Sequence, residues 1–290
     1  MTNGIADDIW QTIRDMGPGA EPAINKTTKA LFAPLIERGD EIEQNFDHAY
    51  GDHPRQKLDI YRPQDITGAP VVLYVPGGGF TGGDKRQDET FFGNVGRFFA
   101  KRGVVGVTMN YRLAPEATWP SAAQDIQSAV RWIKGNIRSY GGDPGRLVLF
   151  GHSAGAAHAG SYLFDPDING ASEVRAGVLA SGLYVLRASE MRPNVAQYFG
   201  DDEATFVRRS AVSHVAGTKI PVFLSVAEFD PVALSTPTFE LAAAITRRDG
   251  HPPQIMRVDG HNHFSYISSI GSPDERYSTP LLDFVRKHTA

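Results

Sequence analysis

Arg146-Leu147-Val148-Leu149-Phe150-Gly151-His152-Ser153-Ala154-Gly155 sets a Gly-x-Ser-x-Gly turn directly behind a five-residue apolar run of strand length. Residues 154–164 follow as an alanine-rich helical pattern. A sharp strand-to-helix turn of this kind projects the serine hydroxyl from the top of a sheet, and glycines on either side permit the close backbone approach that the turn needs. The five-residue pattern alone is frequent by chance, and it gains weight from the strand before it and the helix after it. The plainer alternative is that Ser153 only caps a helix, a position that serine favours.

From residue 69 onward, short apolar runs alternate with amphipathic stretches. The runs are 71–75, 104–109, 146–150, 174–180, 221–227 and a weaker 254–258; the helical patterns are 90–102, 121–140, 154–164, 236–248 and 277–288. Ile126, Val130, Ile133 and Ile137 recur at three- and four-residue steps, the spacing of one helix face. Strands of this length separated by helices of ten or more residues are the signature of crossover units on a mostly parallel sheet covered on both faces. Residues 46–50 and 57–62 read as earlier strands forming an antiparallel edge, which makes eight strands in an α/β architecture. Residues 1–44 read as one or two helices broken at Pro18-Gly19, and residues 183–216 exceed an ordinary connection. Both are expected to fold over the mouth of the sheet, 1–44 as a small helical cap and 183–216 as a cap or pocket insertion on a catalytic domain of 45–290. Ile24, Leu31 and Leu35 of the first, and the Phe and Tyr residues of the second, are expected to wall the pocket.

The 290 residues, 41% of them hydrophobic, suffice for one large core. Lys and Arg number 29 against 33 Asp and Glu, a net charge of −4 that gives no reason to expect a nucleic acid or an anionic membrane as partner. Cysteine is absent, which excludes disulfides, thiolate nucleophiles and cysteine-based metal sites. No window approaches 18 uninterrupted apolar residues, and Asp7 and Asp8 stand where a signal peptide would be basic, so a cytoplasmic protein is expected.

A serine nucleophile needs a general base, and the base needs an orienting group. Asp230 lies on a loop after the run 221–227, and His261 and His263 follow the last run, so the chain order serine, acid, histidine is satisfied. Glu228, closer to the strand end, is the alternative acid or a gate to the substrate. His152, His158 and His214 are expected in turn or packing roles, with a place in the substrate wall as the alternative for His158. Pro76-Gly77-Gly78-Gly79-Phe80 directly follows the run 71–75. Its glycines leave N–H groups open for a developing oxyanion, with Gly78, Gly79 and Ala154 as the expected donors. Neither a Gly-Lys-Ser/Thr sequence nor Rossmann spacing follows, which argues against nucleotide binding.

Together these residues resemble the α/β-hydrolase fold, and within it the hormone-sensitive-lipase-like esterases with the related bacterial esterase and arylformamidase branch. The resemblance runs over residues 45–288. It includes Leu58-Asp59-Ile60-Tyr61-Arg62-Pro63, Asn110-Tyr111-Arg112-Leu113-Ala114-Pro115-Glu116, the helix with Pro120, Asp125, Ala129 and Trp132, and Ser181-Gly182. In such enzymes the catalytic histidine immediately precedes a phenylalanine, which selects His263-Phe264 over His261. Pro76 departs from the family's usual histidine, so its glycine loop must be braced by another route. The resemblance implies a carboxylesterase using Ser153, His263 and Asp230 on a small-molecule ester, with no metal or organic cofactor. Gly82-Gly83-Asp84-Lys85 and Gly260-His261-Asn262-His263-Phe264, similar to arylformamidases, keep an aryl-amide hydrolase such as an N-formylkynurenine formamidase as the alternative. A non-catalytic binding protein of the same fold is the remaining one. No residue pattern decides for or against a homodimer.

Overall fold

The computed structural model describes residues 6–168 and 170–290; the start of the segment 1–44, residues 1–5, lies outside them. Eight strands form one sheet: β1 (Ile42–Ala49), β2 (Lys57–Pro63), β3 (Ala69–Val75), β4 (Val105–Met109), β5 (Gly142–His152), β6 (Ala176–Ala180), β7 (Val222–Phe229) and β8 (Gln254–Asn262). Their spatial order is β1-β2-β4-β3-β5-β6-β7-β8. β1 pairs antiparallel with β2, and β2 antiparallel with β4, whereas every pairing from β4 to β8 is parallel. The expected antiparallel edge is therefore present.

Side-chain alternation divides this sheet between two cores. In β3, Val71, Leu73 and Val75 point into one cluster and Val72 and Tyr74 into the other; in β5, Leu147 and Leu149 oppose Val148 and Phe150. Both strands are buried on both sides, which is why they read as continuous apolar runs. The helices in chain order are α1 (Asp7–Met16), α2 (Pro22–Phe32), α3 (Gly93–Ala100), α4 (Ser121–Asn136), α5 (Ala154–Phe164), α6 (Pro193–Phe199), α7 (Phe206–Arg209), α8 (Val232–Asp249), α9 (Ser265–Ser268) and α10 (Ser278–Thr289). α4 presents Ile126, Val130 and Ile133 to the first cluster, where α5, α6 and α8 also pack. Burial of each such side chain contributes about 1.5–3 kcal/mol before its entropy cost. α1, α2, α3 and α10 cover the opposite face through Trp10, Phe32, Phe98 and Phe284.

Several boundaries differ from the sequence expectation, β5 starting at Gly142 and β8 running on to Asn262 among them. α8 begins at Val232 and not near residue 236, because the Pro231 carbonyl accepts from the Leu234 and Ser235 N–H groups and Pro237 is carried inside the helix. β1 begins at Ile42, since its outer positions are polar and an edge strand needs few apolar ones. Residues 33–35 and 137–140 continue α2 and α4 as short 3₁₀ turns.

Candidate active site

Ser153 sits between β5 and α5 with φ 56° and ψ −123°, a backbone state that costs on the order of 1–3 kcal/mol for a residue bearing a Cβ. The neighbouring glycines are required by contact. A Cβ at Gly151 would meet the Gly155 carbonyl oxygen at 2.5 Å, and one at Gly155 would meet the Val75 carbonyl oxygen at 2.1 Å. The turn is pinned by the Ser153 N–H, which donates to Ala180 at 2.9 Å.

The structure brings Ser153, His263 and Asp230 into hydrogen-bonding series. His263 Nε2 lies 2.9 Å from Ser153 Oγ, and His263 Nδ1 lies 2.7 Å from Asp230 Oδ1. Asp230 is delivered by the turn between β7 and α8, His263 by the residue after β8. The second carboxylate oxygen, Asp230 Oδ2, accepts from the Ala227 N–H and from Ser181 Oγ, both at 2.6 Å. Tyr266 in turn donates to Ser181 Oγ. Asp230 is thus an acceptor in three charge-assisted bonds, which fixes the carboxylate plane and with it the imidazole. Ser181 belongs to the Ser181-Gly182 pair of the resemblance, which implies no role for its hydroxyl. Its role had no local signal, because its partner lies 49 residues away.

His152, expected merely to pack, reaches the same group. Its Nε2 lies 2.9 Å from the His263 carbonyl, so that nitrogen carries the proton, and the two rings are 4.8 Å apart. Burial, reinforced by the nearby His263 ring, pushes its pKa well below the ordinary histidine value. A neutral His152 places no positive charge beside His263. Glu228 accepts from the Gly260 N–H at 2.6 Å and so braces the loop carrying the histidines. It is not in the series with His263. His261 is fully buried, bonded to Asp274 at 2.7 Å and to Ser265 at 2.9 Å. His158 is enclosed by Phe80, Tyr111 and Tyr198 and forms no part of the cavity wall.

The glycine loop after β3 faces Ser153. Gly78 is forced to be glycine because a Cβ there would meet the Gly82 carbonyl oxygen at 2.0 Å. Among the described residues, no acceptor occupies the N–H groups of Gly78, Gly79 or Ala154. Pro76 offers no side-chain hydrogen bond; its carbonyl instead accepts from Tyr111 Oη at 2.9 Å, and Gly82 N–H donates to Gly78 at 3.0 Å. Side-chain bonds tie together the segments around this loop. Arg55 reaches the Gly83 and Tyr111 carbonyls, Asp84 accepts from Asn110, and Arg112 pairs with buried Asp125. Lys85 is buried against Asp59 and Asp47 at 2.9 and 2.7 Å.

Ser153, His263, Gly78, Gly79 and Ala154 open on a cavity of about 400 Å³. Its apolar wall includes Phe80, Phe92, Leu183, Val195, Leu234 and Phe264. Two expectations about this wall are corrected. The N-terminal segment contributes Ala20, Pro22 and Asn25, whereas Leu31 and Leu35 pack against the second core cluster and Ile24 is not on the wall. From residues 183–216, the aromatic Tyr184, Tyr198 and Phe199 enter the core, and Leu183, Glu190, Arg192, Asn194 and Val195 reach the cavity. Large apolar side chains have more surface to bury beside the sheet than at the rim. Among the described residues, no cluster of three or more His, Asp or Glu side chains is arranged to hold a metal ion, and no helix is long and apolar enough to cross a membrane.

A family profile described as BD-FAE matches residues 58–162, which hold both the glycine loop and Ser153. The chain is 31% identical over 254 residues to the esterase LipQ of Mycobacterium tuberculosis, covering 79% of this chain and 59% of that protein. It spans only 28% and 26% of the next two curated relatives, so it corresponds to part of their length. In structure it is similar to esterase B of Lactobacillus rhamnosis (TM-score 0.74, 17% identity, covering 98% of this chain and 96% of that one). It also resembles a bacterial heroin esterase (TM-score 0.73, 21% identity, covering 100% of each chain). The chain therefore has the α/β-hydrolase fold, with similarity in sequence to bacterial esterases.

Proposed function

We propose that this protein is a serine hydrolase of small carboxylic esters, with Ser153 as nucleophile, His263 as general base and acid, and Asp230 as its orienting carboxylate. The observation that carries this reading is the unbroken series from Asp230 Oδ1 through the His263 ring to Ser153 Oγ, ending at a cavity beside open backbone donors. Ser153 Oγ attacks the ester carbonyl as His263 Nε2 takes its proton, and the Asp230 carboxylate supports the imidazolium so formed. The oxyanion meets the N–H groups of Gly78, Gly79 and Ala154, which are already oriented and need no rearrangement as charge develops. Collapse of the intermediate expels the alcohol, which receives the proton from His263. The same imidazole then deprotonates the water that cleaves the acyl enzyme.

The cavity lies near the small end of ligand pockets, roughly 300–1,000 Å³, and its mostly apolar wall favours a short, uncharged acyl or aryl group. The names of the similar proteins, esterases of small molecules among them, support an ester. The aryl-amide alternative rests on Gly82-Gly83-Asp84-Lys85 and Gly260-His261-Asn262-His263-Phe264; of these, Gly83, His263 and Phe264 line the cavity, whereas the Asp84, Lys85 and His261 side chains make bracing contacts away from it. Rates on aryl esters of increasing acyl length and on N-formylkynurenine, measured beside Ser153→Ala, test the reading. Hydrolysis should peak at short esters and vanish in the variant; faster turnover of the amide would overturn the assigned substrate class.

A further inference from the structure

The glycine loop carries an unusual load. Gly79 and Phe80 both have positive φ, 60° and 71°, and Phe80 holds that state despite its Cβ. Pro76 cannot brace the loop from within. Three contacts reach it from α6. Asn194 Nδ2 donates to the Gly79 carbonyl at 2.8 Å. Four residues on, Tyr198 stacks on the Phe80 ring with centroids 5.4 Å apart, and Phe199 meets its edge at 5.2 Å. α6 is anchored in turn: the Trp119 N–H donates to the Tyr198 carbonyl at 2.9 Å, and the Ala122 N–H to its hydroxyl at 3.2 Å.

Resting on the function proposed above, we infer that Asn194 is a positioning residue that clamps the oxyanion loop from α6. The Phe80 ring sandwich fixes where the loop ends, but rings resist sliding only weakly. A hydrogen bond to the Gly79 carbonyl fixes the peptide plane that follows Gly79, and thereby limits rotation of the glycine whose N–H faces the developing charge. Asn194 takes over part of the bracing that Pro76 cannot provide. It does so from the segment 183–216, so that segment contributes to catalysis as well as to the cavity wall. Loss of the clamp leaves substrate binding in place but loosens a donor, so its cost falls on the transition state.

The test uses Asn194→Ala, Asn194→Asp and Asn194→His in the full-length protein. Asp keeps the shape but has no N–H to give, whereas a His Nδ1–H reaches about as far as the Asn amide. Removing an oxyanion donor outright costs ~10²–10³ in kcat, so loosening one should cost on the order of tenfold. Ala and Asp should lose that factor in kcat with KM within about twofold, and His should restore most of it. Affinity for a trifluoromethyl ketone, which forms an oxyanion adduct at the serine, should fall by the same factor as kcat. If Asn194→Ala does not fold, Asn194→Asp carries the comparison alone. Unchanged ketone affinity in a folded variant that still reacts with a fluorophosphonate at Ser153 overturns the inference and spares the proposed function. Absence of that reaction in the wild-type protein overturns both.

Discussion

His263 and His261 each bridge a serine hydroxyl and a buried aspartate, at the same pair of distances. His263 has Ser153 at 2.9 Å and Asp230 at 2.7 Å; His261 has Ser265 at 2.9 Å and Asp274 at 2.7 Å. The surroundings separate them. Ser153 opens on the cavity in a strained turn opposite free N–H groups, whereas Ser265 is fully buried and His261 lies beneath Trp10 and Phe32 with ring centroids at 5.1 and 6.3 Å. The ring nitrogens are also exchanged: Nδ1 faces the aspartate in one constellation and the serine in the other. A serine, a histidine and an aspartate in series are therefore insufficient. On the function proposed above, what sets the Ser153 constellation apart is space for substrate and donors for an oxyanion.

The second constellation has structural work to do. Asp274 is paired in two places with Arg276, and although burial pushes its pKa up, His261 and Arg276 hold it below the usual carboxylate range. Burial pushes His261 down, against the opposing pull of Asp274. A neutral imidazole donating to a carboxylate already matched by arginine is a rigid, charge-balanced strut. Asn262, between the two histidines, bonds Thr28 of α2 at 3.1 Å, so the N-terminal helices are fastened to the loop that presents His263. Removing residues 1–40 should therefore disturb the histidine itself, a larger consequence than the altered acyl preference that a simple pocket wall would predict.

Substitution of the two histidines should break the comparison most sharply. His263→Ala should lower kcat on an activated ester by ~10³-fold or more, and because His263 and Asp230 form a buried pair it should also cost stability. His261→Ala should cost a comparable amount of stability, on the order of 3 kcal/mol through the cavity and the broken buried pair, but keep much of the activity at low temperature. Equal kinetic losses in two folded variants would refute the division of roles.

Acid titration sharpens it next. Burial lowers the His158 pKa to about 3. Between about pH 6.5 and that value the unfolded chain binds a proton that the folded one refuses, so stability falls as pH falls. His158→Phe should flatten the slope of unfolding free energy against pH in that window by ~1.4 kcal/mol per pH unit, as read from urea unfolding. An unaltered slope would mean that His158 is protonated in the folded protein. The smallest effect belongs to Glu228→Gln. It keeps an acceptor for the Gly260 N–H and loses an exposed pairing with Arg257 at 3.9 Å, so kcat should stay within about threefold of wild type, in line with the ~1 kcal/mol ceiling of exposed ion pairs. A loss near that of His263→Ala would make Glu228 part of the proton relay.

Much of this was legible in the chain because the signals are local. Apolar runs of strand length marked the strands of the sheet, and Gly151 and Gly155 announced a turn in which a Cβ would strike backbone. The order of Ser153, Asp230 and His263 could be read because each follows a strand at the same edge of a parallel sheet. What escaped is assembled from distant residues. Ser181 on Asp230, Asn194 on Gly79 and Thr28 on Asn262 each pair across 49 or more positions, and polar residues in loops carry no periodicity to betray their partners. The aromatic residues of 183–216 misled for a related reason. Composition shows that Tyr198 and Phe199 seek burial, but burial against Phe80 and burial against a substrate look alike in a sequence.

The central claim, that Ser153 and not Ser265 is the reactive serine, is tested most directly by treating the wild-type protein with a fluorophosphonate and locating the adduct by peptide mass spectrometry. The account predicts one adduct, on Ser153, formed rapidly in wild type and His261→Ala, slowly in His263→Ala and not at all in Ser153→Ala. Labelling at Ser265, or no labelling of the wild-type protein, would contradict it.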